Sequence, residues 1–256
     1  MRLQIVTLLL FLLQSGALFA QTEKEIYPLS TARRSNLLFS GIGLTTALSG
    51  LLLEQRINPY SADQLEALSL PKLNDLDQKS TNWYSAQFAT TSNVLKFSSV
   101  ALPLVLFATK QSKPERAQLL FQWSQVTSLT WGVTSITKSL AQRDRPFLFN
   151  PNVPLEEKLK AEARLSLFSG HTSITAASWF FLAQHVQRYS NTKWVKALTW
   201  IGAITIPAFT GYARMRAGQH YFTDVAAGYL VGAGIGFFIP KFHANYAQKN
   251  RKQKLN

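Results

Sequence analysis

The sequence predicts an all-α protein, a helical bundle of about six helices set in a membrane, with its site at the outward-facing helix ends. Three observations predict it. Apolar runs poor in charge recur at 35–53, 92–109, 119–137, 172–187, 196–212 and 223–240, each near the roughly 20 residues a helix needs to cross a bilayer. No stretch alternates with period two strongly enough to argue for a sheet, and no internal repeat is present. Basic residues gather where apolar runs end, as in Lys110, Lys113 and Arg116 and in Lys249, Arg251, Lys252 and Lys254. Membrane proteins place lysine and arginine this way at the cytoplasmic surface, where anionic headgroups attract them.

Taken in order, residues 1–20 read as a signal peptide or first membrane segment. Arg2 precedes an apolar core from Ile5 to Leu13 and small residues follow, which is the secretory pattern, with cleavage after Ala20 or Ala17. Residues 21–91 form an N-terminal helix and a polar extramembrane loop that holds many of the acidic residues. The core spans 92–240, and 241–256 is a basic tail. Several runs carry polar residues on one face, such as Gln122, Ser124, Gln125 and Thr130, as bundle helices with a buried polar side do, or amphipathic helices of a soluble all-α protein.

Composition narrows the function classes. The chain has 27 Lys and Arg against 13 Asp and Glu, a net charge of +14. The basic residues follow helix ends, and no finger or RNP-like pattern accompanies them, so nucleic acid is not an expected partner. The absence of cysteine excludes disulfides, a thiol nucleophile and a thiolate metal site.

Three motifs carry chemistry. Lys138 and Arg145, followed by Pro146, close the 119–137 run; seven residues apart, they share a face if the helix continues that far. Ser169, Gly170 and His171 precede the 172–187 run, where glycine admits a ligand to the backbone and a helix start offers free N–H groups to an anion. Arg214, His220 and Asp224 form the third, with His220 and Asp224 on one face if the segment is helical. Asp224 is the only acidic side chain after Glu162. Ionised at the head of an apolar helix, it requires a partner. A carboxylate there holds an imidazole in one tautomer and stabilises its charged form.

Together the motifs resemble the signature of the type 2 phosphatidic acid phosphatase (PAP2) superfamily, which also contains vanadium haloperoxidases and class A acid phosphatases. The order and internal spacing of Lys138, Arg145, Pro146, Ser169, Gly170, His171, Arg214, His220 and Asp224 match it, over roughly residues 90–240. Phe168 stands where that signature has proline and Ala213 where it has serine. The resemblance implies a metal-independent phosphatase without a cofactor. In it His220 attacks phosphorus, Asp224 orients His220, and His171 serves as acid and then base. Lys138, Arg145, Ser169, Gly170 and Arg214 bind the phosphate. Arg143 and Arg216 lie near these motifs without an assigned role, and His185 and His243 match none and read as structural.

The implied substrate is a phosphomonoester or pyrophosphate of an envelope lipid, cleaved through a phosphohistidine. A periplasmic broad-specificity acid phosphatase and a vanadium haloperoxidase are the alternatives. The basic connectors Lys110 to Arg116 and Arg188 to Lys196, with the tail, read as cytoplasmic. The motifs then face the periplasm of a bacterial envelope. With a cleaved signal peptide that orientation requires one run not to cross, and 36–53 is expected to be that run because of its glycine, serine and threonine.

Overall fold

Six long helices account for the six apolar runs: α1 (Arg33–Glu54), α2 (Ala86–Ala101), α3 (Arg116–Ala141), α4 (Gly170–Tyr189), α5 (Lys193–Arg216) and α6 (Phe222–Leu255). The structure is a computed structural model that describes residues 33–255, with side chains from 36 to 246. The expected signal or first membrane segment at 1–20 lies outside the described residues. Among the described residues there is no strand.

The helices exceed the runs that predicted them because their ends are polar. α2 starts at Ala86 rather than 92, where the Ser85 hydroxyl caps it by accepting from the Phe88 N–H. The first turns of α2 are rich in threonine, serine and asparagine, and so read as loop. A 3₁₀ turn, Leu102–Leu104, contains Pro103 and is followed by the short helix Val105–Ala108. α6 passes Pro240 without stopping, so the expected tail at 241 is no separate segment but the continuation of the last helix.

α4 lies at the centre, packed against α2, α3, α5 and α6. Its residues Phe181, Leu182 and Val186 join Leu119, Val126 and Ile239 in the main core, and Trp123 meets Phe181 with ring centroids 5.1 Å apart. α6 approaches α4 closely because Gly228, Gly232 and Gly236 form a seam along it. A Cβ on Gly232 would stand 2.0 Å from the Ser173 carbonyl oxygen, and one on Gly236 2.3 Å from that of Ala177. Small residues at such spacing are what let membrane helices pack backbone to backbone. α1 runs parallel to α3 on a similar seam, where a Cβ on Gly50 would lie 2.6 Å from Ser135 Cβ.

By length and composition, three helical stretches can cross a membrane: Asn36–Glu54, Ala86–Ala108 and Phe222–Tyr246, with mean hydropathies of 1.6, 1.4 and 1.5. The expectation that 36–53 does not cross therefore loses its basis. That run is the most apolar of the three, and its Leu37, Leu44, Leu48 and Leu52 are exposed. Its small residues serve the seam with α3 instead. Buried Gln122, Gln125 and Thr130 give α3 its polar face, whereas Ser124 is exposed.

At the end where α3 and α5 finish and α4 and α6 begin, the connections form a second layer. Phe147, Leu148, Val153 and Ala163 make a small core there, and Tyr60, Leu65 and Leu68 of the segment after α1 pack onto it. The polar segment 55–85 is thus folded over the ends of the bundle.

The α4–α6 seam gives a direct test. Replacing Gly232 with leucine forces the helices apart, and is expected to destabilise the protein by about 1–3 kcal/mol, read as a lower Tm in detergent. The substitution Gly234→Leu, at a glycine with open space around it, should leave Tm close to that of the parent.

Candidate active site

The first block does not continue as helix. α3 ends at Ala141, where Gln142 adopts a left-handed conformation (φ 41°, ψ 43°) and donates its N–H to the Lys138 carbonyl at 2.9 Å. Lys138 therefore sits on the last turn, but Arg145 does not share its helical face. Arg145 comes back to the bundle on a loop, held by its own N–H to the Ala163 carbonyl at 2.8 Å. Pro146 begins the 3₁₀ turn Pro146–Phe149. The Phe147 N–H then donates to the Gly218 carbonyl at 3.0 Å, which ties the first block to the third.

The second block caps α4. Ser169 is the N-cap, and its buried hydroxyl accepts from the Thr172 hydroxyl at 2.9 Å and the Thr172 N–H at 3.4 Å. Its hydroxyl proton is thereby left for another acceptor. Gly170 opens the helix, so its N–H is among those that no helix carbonyl takes. The Ser169 N–H donates to the Asp224 carbonyl at 3.0 Å, which fixes the start of α4 to the start of α6. Phe168 fills a buried position where proline was expected.

In the third block, Arg214 lies buried on the last turn of α5. Ala213 beside it, where serine was expected, is fully buried. The chain turns at Gly218 (φ +69°), where a Cβ would stand 2.3 Å from the Trp83 carbonyl oxygen. Only glycine meets both demands. His220 follows in the connection and α6 begins at Phe222, so His220 and Asp224 do not share a helical face. Asp224 is the third helical residue, and its Oδ2 accepts from the Tyr221 N–H at 2.9 Å. That is half of a capping box.

The partner of His220 also differs from expectation. Its Nδ1 donates to the Ser166 carbonyl at 2.8 Å, while the nearest Asp224 oxygen is 3.7 Å away. Asp224 acts instead through Ser166, whose hydroxyl donates to Oδ2 at 2.5 Å. The Ser166 N–H donates to the Arg143 carbonyl at 2.9 Å. Ser166 therefore joins the first block to the third, yet nothing in its sequence context marked it. Arg143 bridges Asp77 at 2.9 Å and Asp224 at 2.5 Å, and Arg216 lies over the rings of Trp83 and Phe88. His171 reaches across to α2, with its Nε2 2.7 Å from Asn93 Oδ1. His185 and His243 are buried far from these blocks in sequence, among Phe181, Tyr189 and Phe39.

Positive charge is concentrated and left open. Gln219 Oε1 accepts from both Arg145 and Arg214, which places the two guanidiniums side by side. Among the described residues, Lys138, Arg145 and Arg214 make no ion pair with a carboxylate, whereas Arg143 and Arg188 do. Burial brings the Arg145 guanidinium down to about 10. Burial first, then Lys138, Arg145 and Arg214, hold the His220 imidazole well below its ordinary value, so it is neutral at pH 7. Burial and then Arg214 act likewise on His171. A dianion entering among these groups reverses the repulsion.

A family model described as PAP2 superfamily matches residues 122–247, the stretch that carries all three blocks. Phospholipid phosphatase 1 of Mus musculus is 28% identical over 102 residues, 39% of this chain and 36% of the mouse protein. Phospholipid phosphatase 2 of Mus musculus is 32% identical over 95 residues, 36% of this chain and 34% of that protein. This chain thus spans only about a third of the length of either relative. Among solved structures, a transmembrane PAP2-type phosphatidylglycerolphosphate phosphatase from Bacillus subtilis superposes with a TM-score of 0.51. The identity is 19%, over 80% of this chain and 96% of the other, a likeness of fold. The likeness to the Bacillus structure is one of fold, and through residues 122–247 the chain belongs to the PAP2 superfamily.

Proposed function

We propose that this protein is a phosphatase of the bacterial envelope that removes phosphate from a lipid phosphomonoester or pyrophosphate without a metal ion. The observation that carries the reading is the set of a buried Arg214 and half-buried Lys138 and Arg145, none paired with a carboxylate among the described residues, together with two histidines held by different hydrogen bonds. Such a set stabilises the equatorial oxygens of a phosphoryl group in flight, the part a metal plays elsewhere. The lipid-phosphatase relatives and the membrane helices support a lipid substrate.

The roles follow from the hydrogen bonds. With Nδ1–H given to the Ser166 carbonyl, the free lone pair of neutral His220 is on Nε2, the atom that attacks phosphorus. As the P–N bond forms and the P–O bond breaks, His171 passes its proton to the leaving oxygen. His171 then takes a proton from water, the hydroxide attacks phosphorus, and the electron pair of the P–N bond returns to His220. Lys138, Arg145 and Arg214 hold the transferred group, with the Ser169 hydroxyl and the Gly170 N–H. Burial first, and then the cations around it, disfavour protonated His171, and a bound phosphate offsets the part that comes from the cations.

The site faces the periplasm in this reading. α2, α4 and α6 carry the chain away from the motifs, and the basic connectors and the basic end of α6 lie at the far end, the pattern of a cytoplasmic surface.

Three measurements test these assignments. Turnover by His220→Ala in detergent is expected to fall by at least about 1000-fold, and substantial residual activity would remove His220 as nucleophile. Orthovanadate should inhibit and EDTA should not. In a thermal scan, orthophosphate at about 100 times its Kd should stabilise the protein by about 2.7 kcal/mol, an effect lost in Arg145→Ala. Orientation is accessible because the chain has no cysteine. In intact cells, an impermeant maleimide should label Asn152→Cys, near the site, and not Lys193→Cys at the other end.

Substrate identity is read from phosphate release on phosphatidate, phosphatidylglycerophosphate, undecaprenyl pyrophosphate, lipid A and a soluble ester, with His220→Ala as control. Equal release from all would favour a broad-specificity acid phosphatase. Peroxide-dependent halide oxidation would identify a haloperoxidase.

A further inference from the structure

We infer that Asp77 and Arg143 are positioning residues for the reaction at His220, which makes the polar segment between α1 and α2 a working part of the site. The inference rests on His220 being the attacking group.

Asp77 sits in the short helix Asp75–Gln78, which Asn74 caps by accepting from the Leu76 and Asp77 N–H groups at 3.1 and 2.9 Å. Although it lies in a polar connecting segment, its carboxylate is 1% exposed. Both of its oxygens are spent on the other layer. Oδ1 accepts from the Thr223 N–H at 2.9 Å, and Oδ2 accepts from the Thr223 hydroxyl at 2.8 Å and from Arg143 at 2.9 Å. A charged group is buried this completely only where it is paired; besides the Asn74 side-chain amide, which donates to Oδ2 at 3.0 Å, every pairing leads to the start of α6 or to the loop after α3.

Arg143 carries the connection onward. One terminal nitrogen takes Asp77; the other donates to Asp224 at 2.5 Å and to the Thr223 hydroxyl at 2.8 Å. Its planar group lies over the Tyr221 ring, 4.2 Å from the centroid. Both of its terminal nitrogens are committed to carboxylates, which separates it from Lys138, Arg145 and Arg214. From Asp224 the contacts continue through the Ser166 hydroxyl to the Ser166 carbonyl that receives the His220 Nδ1–H. Direct hydrogen bonds thus join Asp77 to the imidazole, with the path passing through residue Ser166 itself. Two carboxylates around one guanidinium leave a net negative charge beside a ring that becomes cationic when phosphorylated. That charge favours the intermediate.

The test is a kinetic cycle on the full-length protein in detergent, using Arg143→Met, Arg143→Lys, Asp77→Asn and the Asp77→Asn/Arg143→Met pair. Arg143→Met is expected to lower kcat about 100-fold, with KM and the inhibition constant of orthophosphate changed less than about twofold. Arg143→Lys, which keeps the charge, should recover part of kcat, and Asp77→Asn should lose less than Arg143→Met. Because Asp77 acts through Arg143, the double variant should be no slower than Arg143→Met alone. A rise in KM and in the orthophosphate constant at unchanged kcat would show Arg143 holding phosphate directly and overturn the inference, as would multiplicative losses in the double variant. If Arg143→Met does not fold, the kcat of Asp77→Asn decides: an unchanged value overturns the inference and a selective loss supports it. His220→Ala in the same series reports on the premise. If it keeps turnover the assigned nucleophile is wrong, whereas an inactive His220→Ala beside an unimpaired Asp77→Asn removes only the positioning role.

Discussion

The structure depends on the burial of one negative charge. Asp224 is fully enclosed at the head of an apolar helix, and an uncompensated carboxylate in that position would cost several kcal/mol. Compensation comes from three directions: the Arg143 guanidinium from the loop after α3, the Ser166 hydroxyl from the strap before α4, and the Tyr221 N–H from its own helix start. Satisfying Asp224 therefore requires the three connections to meet. Backbone bonds between the same segments, from Ser166 to Arg143 and from Ser169 to Asp224, lock that meeting. Once it is in place, the side chains around the pocket have little freedom in where they point.

The opposite sign of charge is treated in the opposite way. Carboxylates neutralise the cations that build the scaffold, with Arg143 held between Asp77 and Asp224 and Arg188 held by Glu115. Arg145 and Arg214 have the Gln219 amide and, for Arg214, the Ser92 hydroxyl as partners instead. The same residue type thus serves two purposes, and its partner decides which. Close packing of α6 on α4 through glycine brings Asp224 near Ser169, so helix packing and charge placement form one arrangement.

How much of this was legible in the sequence follows from how local each signal is. The six helices were readable because apolar runs persist over many residues, and the nine signature positions because they keep fixed offsets within short blocks. Helix ends were not. The start of α2 is hidden by Thr90, Thr91, Ser92 and Asn93, which look like loop residues; of these Ser92 is buried and meets Arg214, while Asn93, although exposed, meets His171. The stop of α3 at Gln142 rests on a left-handed residue that is not glycine, so the two-turn spacing from Lys138 to Arg145 was misleading. Ser166 and Asp77 act through contacts across 58 and 146 residues. No local pattern encodes such contacts, and in sequence Ser166 was an ordinary serine and Asp77 one of several loop acids. The Asp224–His220 spacing was legible, but the main-chain carbonyl that takes the place of a direct carboxylate contact was not.

Gln219 gives the pocket a resting occupant. Its amide oxygen accepts from Arg145 and Arg214 together, in the manner of one oxygen of a tetrahedral anion. In the proposed function an incoming phosphate would enter by exchange, and its affinity would be the difference between two sets of bonds to the same guanidiniums. Such an exchange would keep the arginines aligned between turnovers and limit how firmly released phosphate is retained. A product that is a small, abundant anion would then leave more readily.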